Sequence, residues 1–537
     1  MTKLSNLPLL VMVAGIFSIA LFIHCYAALT AYPIPGDAAH FVQHGIAWAK
    51  GNPNGMSTYW SQGMIALAAF FFRLGLDPAK GLQHVCVICG SLVVVIGALT
   101  AWKVFQQSRR VFAATGLLLG TSTALSQYSV CAYSEMPFIL FLTLALFVVM
   151  VGWEKEQKRG YIYSAVLLGL GAYFKAMDAC VWAAWITFCI MISGYRTCKT
   201  RIVFHGLLFG ACFALLLLPL VFMTYQKTGR IAPTTKGGNL ALGDSWSDSK
   251  AVYSLDHDSP LWERKGYYER SGSLAFIWRY RKTIMRRVVR NCLEACRIYS
   301  NQLFYRAFRL GTGFFLMGLT GVIFFCIRER RIWRQSLLLL GGVFFHTGLV
   351  SLNFIHDRLV LSNAIILMVL FGGIAAYATF HIPRRFTAVF LLLCIYYLGQ
   401  NSLYAIHAFQ REPFYWRYQN TQQVGEYLKK NFDDKTRIMV RFPHIAVHFY
   451  TNQLFRYVEM PYGEIQEIER FVDKNKVDLV IISDRWYVHW PINQLLAGAS
   501  LPDNWFEYSQ IVCSGDEERG IPMERYVIYK IDKRDSM

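Results

Sequence analysis

Tyr32-Pro-Ile-Pro-Gly-Asp37-Ala-Ala-His40-Phe41 follows directly on the first membrane-length apolar run of the chain and puts a carboxylate just beyond its end. An acid at that point can meet water on one side and lipid on the other. A second acid, Glu135 in Tyr133-Ser-Glu-Met-Pro137, stands at the mouth of a later apolar segment. Carboxylates and cations at membrane depth cost several kcal/mol unless they line a polar cavity, so two acids at segment mouths point to chemistry at a membrane face.

Composition sets the class around that stretch. Of 537 residues, 55% are hydrophobic and 15% aromatic, while only 16% are charged, against about 25% in ordinary soluble domains. This predicts a polytopic α-helical membrane protein. The formal net charge of +20 does not indicate nucleic acid, because Lys and Arg fall mainly in short runs between apolar segments, where orientation in the membrane explains them. Most of the thirteen Cys lie in or beside apolar segments, and Cys86 and Cys89 share a hydrophobic run where zinc would be unusual, so they read as packing residues.

Spans of about 17 to 25 apolar residues are expected near 8–30, 82–105, 111–128, 135–152, 161–174, 179–194, 202–225, 311–327, 336–353, 359–380 and 386–404, eleven in all. The first ends in a cleavable-looking Ala-Leu-Thr-Ala31. Its apolar run is long for a signal peptide and many spans follow, so it reads as a retained span. With the N-terminus in the cytosol, five short loops on that side hold fourteen Lys and Arg: Arg109 and Arg110; Lys155, Lys158 and Arg159; Arg196, Lys199 and Arg201; Arg328, Arg330, Arg331 and Arg334; Arg384 and Arg385. The positive-inside rule supports this orientation. It sends Asp37, Glu135, Lys175, Asp178, Asp357 and Arg358 to the outer face, with a juxtamembrane loop over 31–80, a long loop over 226–310 and a tail over 405–537. The membrane part is then 1–404.

In the outer juxtamembrane loop, 37–50 reads as a helix, Gly51-Asn-Pro-Asn-Gly55 as a turn and 59–74 as an amphipathic or re-entrant helix. In the long loop, Trp278 to Arg309 reads as a helix with nine Lys and Arg, and Ile284, Val288, Cys292 and Cys296 on one side. Such a helix can lie on lipid headgroups. The tail mixes periods: helices over Thr421–Phe432 and Gly463–Asn475, strands over Arg437–Phe442, Val477–Ser483 and Arg525–Ile531. This predicts a small α/β domain outside the membrane, without a Gly-rich nucleotide loop.

A carboxylate can take a proton from a hydroxyl, and nearby Lys or Arg can hold a phosphate as it leaves. Transfer of a sugar from a phosphate-linked lipid with inversion at the anomeric carbon needs little more. Asp37, His40 and His44 also fall at i, i+3 and i+7 of one helix, where two imidazoles and a carboxylate could hold a divalent metal; histidines of a headgroup-facing helix have other uses, and the site is read as metal-free.

The order Asp37 after the first span, Tyr59-Trp-Ser-Gln-Gly63 in the next loop, Ser134-Glu135 opening a span, Gly237-Gly-Asn239 in the long loop and His356-Asp-Arg358 opening a late span resembles the GT-C superfamily of polyprenyl-phosphate-sugar glycosyltransferases. The branch of protein O-mannosyltransferases and the lipid A aminoarabinose transferase is the most similar. The resemblance implies a membrane enzyme that moves one sugar from a polyprenyl-phosphate carrier to a glycolipid, polysaccharide or protein acceptor outside the cytoplasm, in a bacterial inner membrane, without a cofactor. It implies Asp37 as catalytic base or as the acid that positions the acceptor, Glu135 as the second catalytic acid, holding the acceptor or tuning Asp37, Arg358 and, less directly, Lys175 as phosphate ligands, and His40, Tyr59 and Asn239 as lining of the donor and acceptor cavity. Leu359 stands where the family has Tyr after its late Arg, and the family's proline pair in the first loop is replaced by Trp60-Ser-Gln62.

Each residue has a structural rival. Asp37 after Pro-Gly suits a helix N-cap, Glu135 can cap its span beside Ser134, and Lys175 can anchor its span by snorkelling. A secondary transporter would bury its acids near the bilayer midplane between repeats, which this sequence does not display; a noncatalytic lipid-binding scaffold would have little need of two acids on one face.

Overall fold

The computed structural model describes residues 7–30, 36–52, 55–105, 108–196, 200–229, 231–234, 281–304, 319–320, 323, 333–352, 357–378, 399–400, 402–403, 405, 415–433, 435–440, 456–460, 464–484, 491–513 and 523–532. Helices dominate from Leu7 to Ala378: α1 (Leu7–Thr30), α2 (Gly36–Ala49), α3 (Gln62–Arg73), α4 (Pro78–Val104), α5 (Arg109–Gly120), α6 (Thr123–Ser129), α7 (Glu135–Glu154), α8 (Lys158–Ala172), α9 (Ala176–Arg196), α10 (Thr200–Thr228), α11 (Arg281–Phe304), α12 (Gly342–Val350) and α13 (Asp357–Ala378). Among the described residues, six helices are long and apolar enough to cross a membrane: those at Pro8–Leu29, Pro78–Val104, Glu135–Glu154, Ala176–Tyr195, Thr200–Thr228 and Arg358–Ala376. The chain is a multi-pass membrane protein. The segments expected at 311–327 and 386–404 fall almost wholly outside the described residues.

The expected span at 111–128 is two helices. Thr121 Oγ1 donates to Leu117 O at 2.8 Å, and Ser122 caps α6 by accepting from Leu125 N at 3.3 Å. The Ser122 cap pairs an amide that the open start of α6 would otherwise leave without a helical partner, so the chain turns without exposing that donor to lipid. The span expected at 336–353 begins with a helical turn at Trp333–Ser336 and a π-helical turn at Leu337–Gly341 before α12. The indole nitrogen of Trp185 donates to Leu338 O in that turn at 3.0 Å.

Small residues let the helices close. Gly152 of α7 and Gly160 of α8 pass so near that a Cβ built on Gly152 would stand 2.9 Å from the Gly160 Cα, the close approach that drives helix association in lipid. Gly45 of α2 lies as tightly on Ala68 and the Ile65 carbonyl of α3. The two juxtamembrane helices therefore pack as one layer. Ser61 caps α3 by accepting from Met64 N, and Asp77, with Pro78 behind it, caps α4 through Ala79 N at 2.9 Å.

The tail carries α14 (Tyr415–Asn431), β1 (Arg437–Val440), β2 (Arg456–Glu459), α15 (Ile465–Lys474), β3 (Leu479–Ser483), β4 (Trp505–Cys513) and β5 (Glu524–Ile531). The sheet runs β2-β1-β3-β5-β4; β1 pairs parallel with β2 and β3, and β5 antiparallel with β3 and β4. Leu479 and Ile481 face Val424 and Leu428 of α14, while Val480 and Ile482 face Ile468 and Val472 of α15. Cover on both faces explains why β3 is apolar from Leu479 to Ile482. The buried Glu524 carboxylate accepts from Ser483 Oγ at 2.6 Å and Asn420 Nδ2 at 2.9 Å.

Candidate active site

Four charged side chains meet at the ends of α7, α9 and α13. Glu135, the first residue of α7, accepts from Arg358 Nε at 3.0 Å and Nη2 at 3.4 Å, and lies 3.5 Å from Lys175 Nζ. Lys175 stands one residue before α9 and also reaches Asp178 Oδ2 at 3.0 Å. The Glu135 side chain is 3% exposed and that of Lys175 14%. Ser134 makes no side-chain cap bond to α7, and the Glu135 carboxylate turns across the bundle to the two cations. Lys175 likewise turns inward rather than towards headgroups.

Pairing two acids with two bases makes this burial tolerable; loss of one partner would strand a charge at a cost of about 3–5 kcal/mol in a fully buried pair, and less here, where Arg358 keeps some solvent. Tyr133 adds a further contact: its ring lies 3.9 Å from the guanidinium carbon of Arg358, a cation–π stack. The aromatic face against Arg358 comes from the loop before α7. Cys86 Sγ donates to the Tyr133 carbonyl at 3.2 Å and ties that loop to α4.

The juxtamembrane layer abuts the same place. His40 on α2 stacks on Trp60 with ring centroids 4.2 Å apart, and Tyr59 meets the edge of Trp60 at 4.9 Å. Ser61 Oγ and Gly63 N both donate to Tyr173 O, at 3.3 and 2.8 Å, two residues before Lys175. His40, Tyr59 and Trp60 are thereby fixed against the strip that presents Lys175. Asp37 is the second residue of α2, three positions before His40; its side chain lies outside the described residues, as does all of Asn239. His44 is one turn further along α2, and burial pushes its imidazole below its ordinary pKa, with the Lys227 charge acting the same way against a raising backbone contact at Gly55. Among the described residues, no three of His, Cys, Asp and Glu are grouped as metal ligands.

Sequence reasoning named Glu135, Lys175 and Arg358, which the fold brings together. It gave no role to Tyr133, Trp60 or His346, and placed Asp178 on the same face as Glu135, Lys175 and Arg358, likewise without a role. His346 carried a readable signal: it is an ionisable residue inside a membrane-length apolar segment. The α11 helix also differs from expectation, for its buried face centres on Asn291, Ala295, Ile298 and Tyr299, because Asn291 and Tyr299 find hydrogen-bond partners on α12 and α13 and the loop following α12.

Residues 63–221 match the family model of dolichyl-phosphate-mannose-protein mannosyltransferase, a stretch that includes Glu135, Lys175 and Asp178. Among solved structures, ArnT from Cupriavidus metallidurans bound to undecaprenyl phosphate aligns with a TM-score of 0.54 at 12% identity, over 98% of each chain. Its apo state aligns equally well. The arabinofuranosyltransferase AftD from Mycobacteria aligns with a TM-score of 0.51 at 12% identity, over 97% of this chain and 40% of AftD. No curated protein matches by sequence. The fold is that of the GT-C superfamily of membrane glycosyltransferases.

Proposed function

We propose that the protein is an integral membrane glycosyltransferase that moves one sugar from a polyprenyl-phosphate carrier to an acceptor hydroxyl on the extracytoplasmic face of a bacterial inner membrane. The observation that carries this reading is the convergence of Arg358 and Lys175 on Glu135 at one end of the bundle, beside the α2–α3 layer that holds Asp37. Two cations side by side suit a phosphodiester that becomes a phosphate monoester as it leaves. The similarity to ArnT, whose structure holds undecaprenyl phosphate, supports a lipid-linked donor.

In this mechanism Asp37 takes the proton of the acceptor hydroxyl as its oxygen attacks the anomeric carbon. The bond from that carbon to the phosphate oxygen breaks on the opposite face, and the electron pair departs with the polyprenyl phosphate. Arg358 and Lys175 hold the charge that collects there. Glu135 keeps the two cations in register, an orienting part suited to a carboxylate already engaged by both. Transfer is inverting and metal-independent, since a single base and a cationic phosphate site supply the chemistry. His40, Tyr59 and Asn239 are assigned to the cavity wall, and the tail with the long loop to acceptor access.

The test incubates purified protein in lipid with a panel of labelled polyprenyl-phosphate sugars, comparing wild type with Asp37→Asn. Transfer or donor hydrolysis by the wild type, lost in the variant, is expected. A wild type inert towards every donor, or an Asp37→Asn variant working at the wild-type rate, would refute the mechanism.

A further inference from the structure

Asp178 divides its carboxylate between two partners. Oδ2 lies 3.0 Å from Lys175 Nζ, and Oδ1 lies 3.3 Å from His346 Nε2. His346, on α12, is fully buried, and its ring is stacked beside Trp182 with centroids 6.0 Å apart. Its Nδ1 is 3.1 Å from Asn363 Nδ2 on α13. If that amide donates to Nδ1, the ring proton sits on Nε2 and points at Asp178, the tautomer that orients a carboxylate. Asn363 Nδ2 also lies 3.0 Å from both Tyr299 OH and Thr347 Oγ1, which are themselves 2.6 Å apart. Asn363 is fully buried and Tyr299 is 4% exposed.

A polar chain thus runs Lys175–Asp178–His346–Asn363–Tyr299 through apolar surroundings, drawing on α9, α12, α13 and the long-loop helix α11. Apolar side chains of like volume would pack there without the desolvation cost. What the chain accomplishes is geometric. A carboxylate gripped at both oxygens cannot rotate, and the ammonium it holds is kept beside Glu135 without displacing Arg358 from that acid.

We infer that Asp178 and His346 are positioning residues for the phosphate-binding Lys175, and that Tyr299 completes the unit by docking α11 onto it. This rests on the reading of Lys175 as a donor-phosphate ligand. Without Asp178, Lys175 would fall back on Glu135 and compete with Arg358 for it, leaving both cations worse placed for phosphate. Without His346, the Asp178 carboxylate would be free to turn. A glutamine at 346 can still present an amide N–H near the Nε2 position, so His346→Gln should keep much of the function that His346→Leu loses.

The experiment measures binding of a short-chain polyprenyl phosphate to purified full-length protein in detergent, with the ligand-free thermal midpoint recorded beside it. Affinity should fall about tenfold in Asp178→Asn and His346→Leu, and by no more than about threefold in His346→Gln, as expected for losing a charge-assisted hydrogen bond behind the ligand. Tyr299→Phe, which removes only a hydroxyl and is the variant least prone to misfold, should weaken binding about threefold. If His346→Leu and Tyr299→Phe bind as the wild type does while Lys175→Met does not, the positioning unit is refuted and the reading of Lys175 stands. If affinity follows thermal stability alone, with glutamine no better than leucine, the unit is refuted as a merely structural element. A wild type that does not bind polyprenyl phosphate refutes both.

Discussion

Arg358 on the first turn of α13 donates to Glu135 on the first turn of α7 across 223 positions of sequence, at 3.0 Å from Nε to Oε1. The pair closes the bundle between two of its most buried helices. It also fixes where a guanidinium can meet a ligand, since the other face of Arg358 is covered by Tyr133.

The pair is expected to show strong coupling. Arg358→Met should destabilise the protein by about 2–3 kcal/mol, because it takes away one of the two cations that Glu135, at 3% exposure, faces and leaves the longer contact to Lys175 at 3.5 Å. Adding Glu135→Leu should return part of that loss, giving a non-additive double-mutant cycle. Thermal melts of the four proteins in one detergent read the coupling; strictly additive losses would mean that the ion pair carries no interaction energy.

The Tyr133 ring should matter through its face and not through its hydroxyl. Tyr133→Phe is expected to leave donor KM within about twofold of wild type, whereas Tyr133→Leu removes a partly desolvated cation–π contact worth about 1 kcal/mol, or about fivefold in KM. Initial rates against donor concentration distinguish the two, and equal effects from both variants would reject the stacking role.

Asp37→Asn is expected to lower kcat by about 10²–10⁴-fold, the usual worth of a positioned general base, with little change in donor affinity. Chelation with excess EDTA should leave the wild-type rate unchanged. A rate lost to EDTA and restored by one divalent cation would bring the His40 and His44 helix into the chemistry as a metal site.

The tail should weaken at high pH. Burial, helped by the charge of Glu524, pushes the Cys513 thiol from 9.0 up to about 12, and burial with the charge of Glu507 pushes the Tyr529 phenol from 10.0 up to about 12. Both groups are held protonated in the fold, so their contribution is complete below pH 9, where the unfolded thiol also keeps its proton, and declines as pH rises towards 12. At pH 9 the folded protein should resist alkylation at Cys513, and urea should expose it. Mass spectrometry of the modified peptide reads this directly; rapid labelling of the native protein at pH 9 would contradict the assignment.

Close packing at Gly152 gives a prediction within the membrane part. Gly152→Val places carbon where the Gly160 backbone already stands, so α7 and α8 must part. A loss of about 1–3 kcal/mol is expected from the overpacking, visible as a lower thermal midpoint, and an unchanged midpoint would show that this helix pair can slide.

What the sequence alone determined is local. Apolar run length placed α1, α4, α7, α9, α10 and α13, because a span must satisfy its own backbone in lipid whatever its neighbours are. Charge, capping residues and turn chemistry placed α2, α3 and α11, and the continuous apolar run of β3 was legible because both faces of that strand are covered. The edge strands β2 and β4 were not: β2 is four residues long, and β4 is buried only at its two ends, with apolar and polar residues mixed along an exposed middle, so neither shows the alternation or the unbroken apolar run of a buried strand. The split at Thr121-Ser122 was also missed, since hydroxyls that cap a helix end look no different in sequence from hydroxyls that tolerate a helix interior. Tertiary structure alone decided that Glu135 answers Arg358, that Tyr133 lays its ring against Arg358, and that Asp178 is held by His346. Periodicity acts over a few residues, whereas these partners lie far apart in the chain and meet only because buried charges and amides in an apolar bundle must find one another.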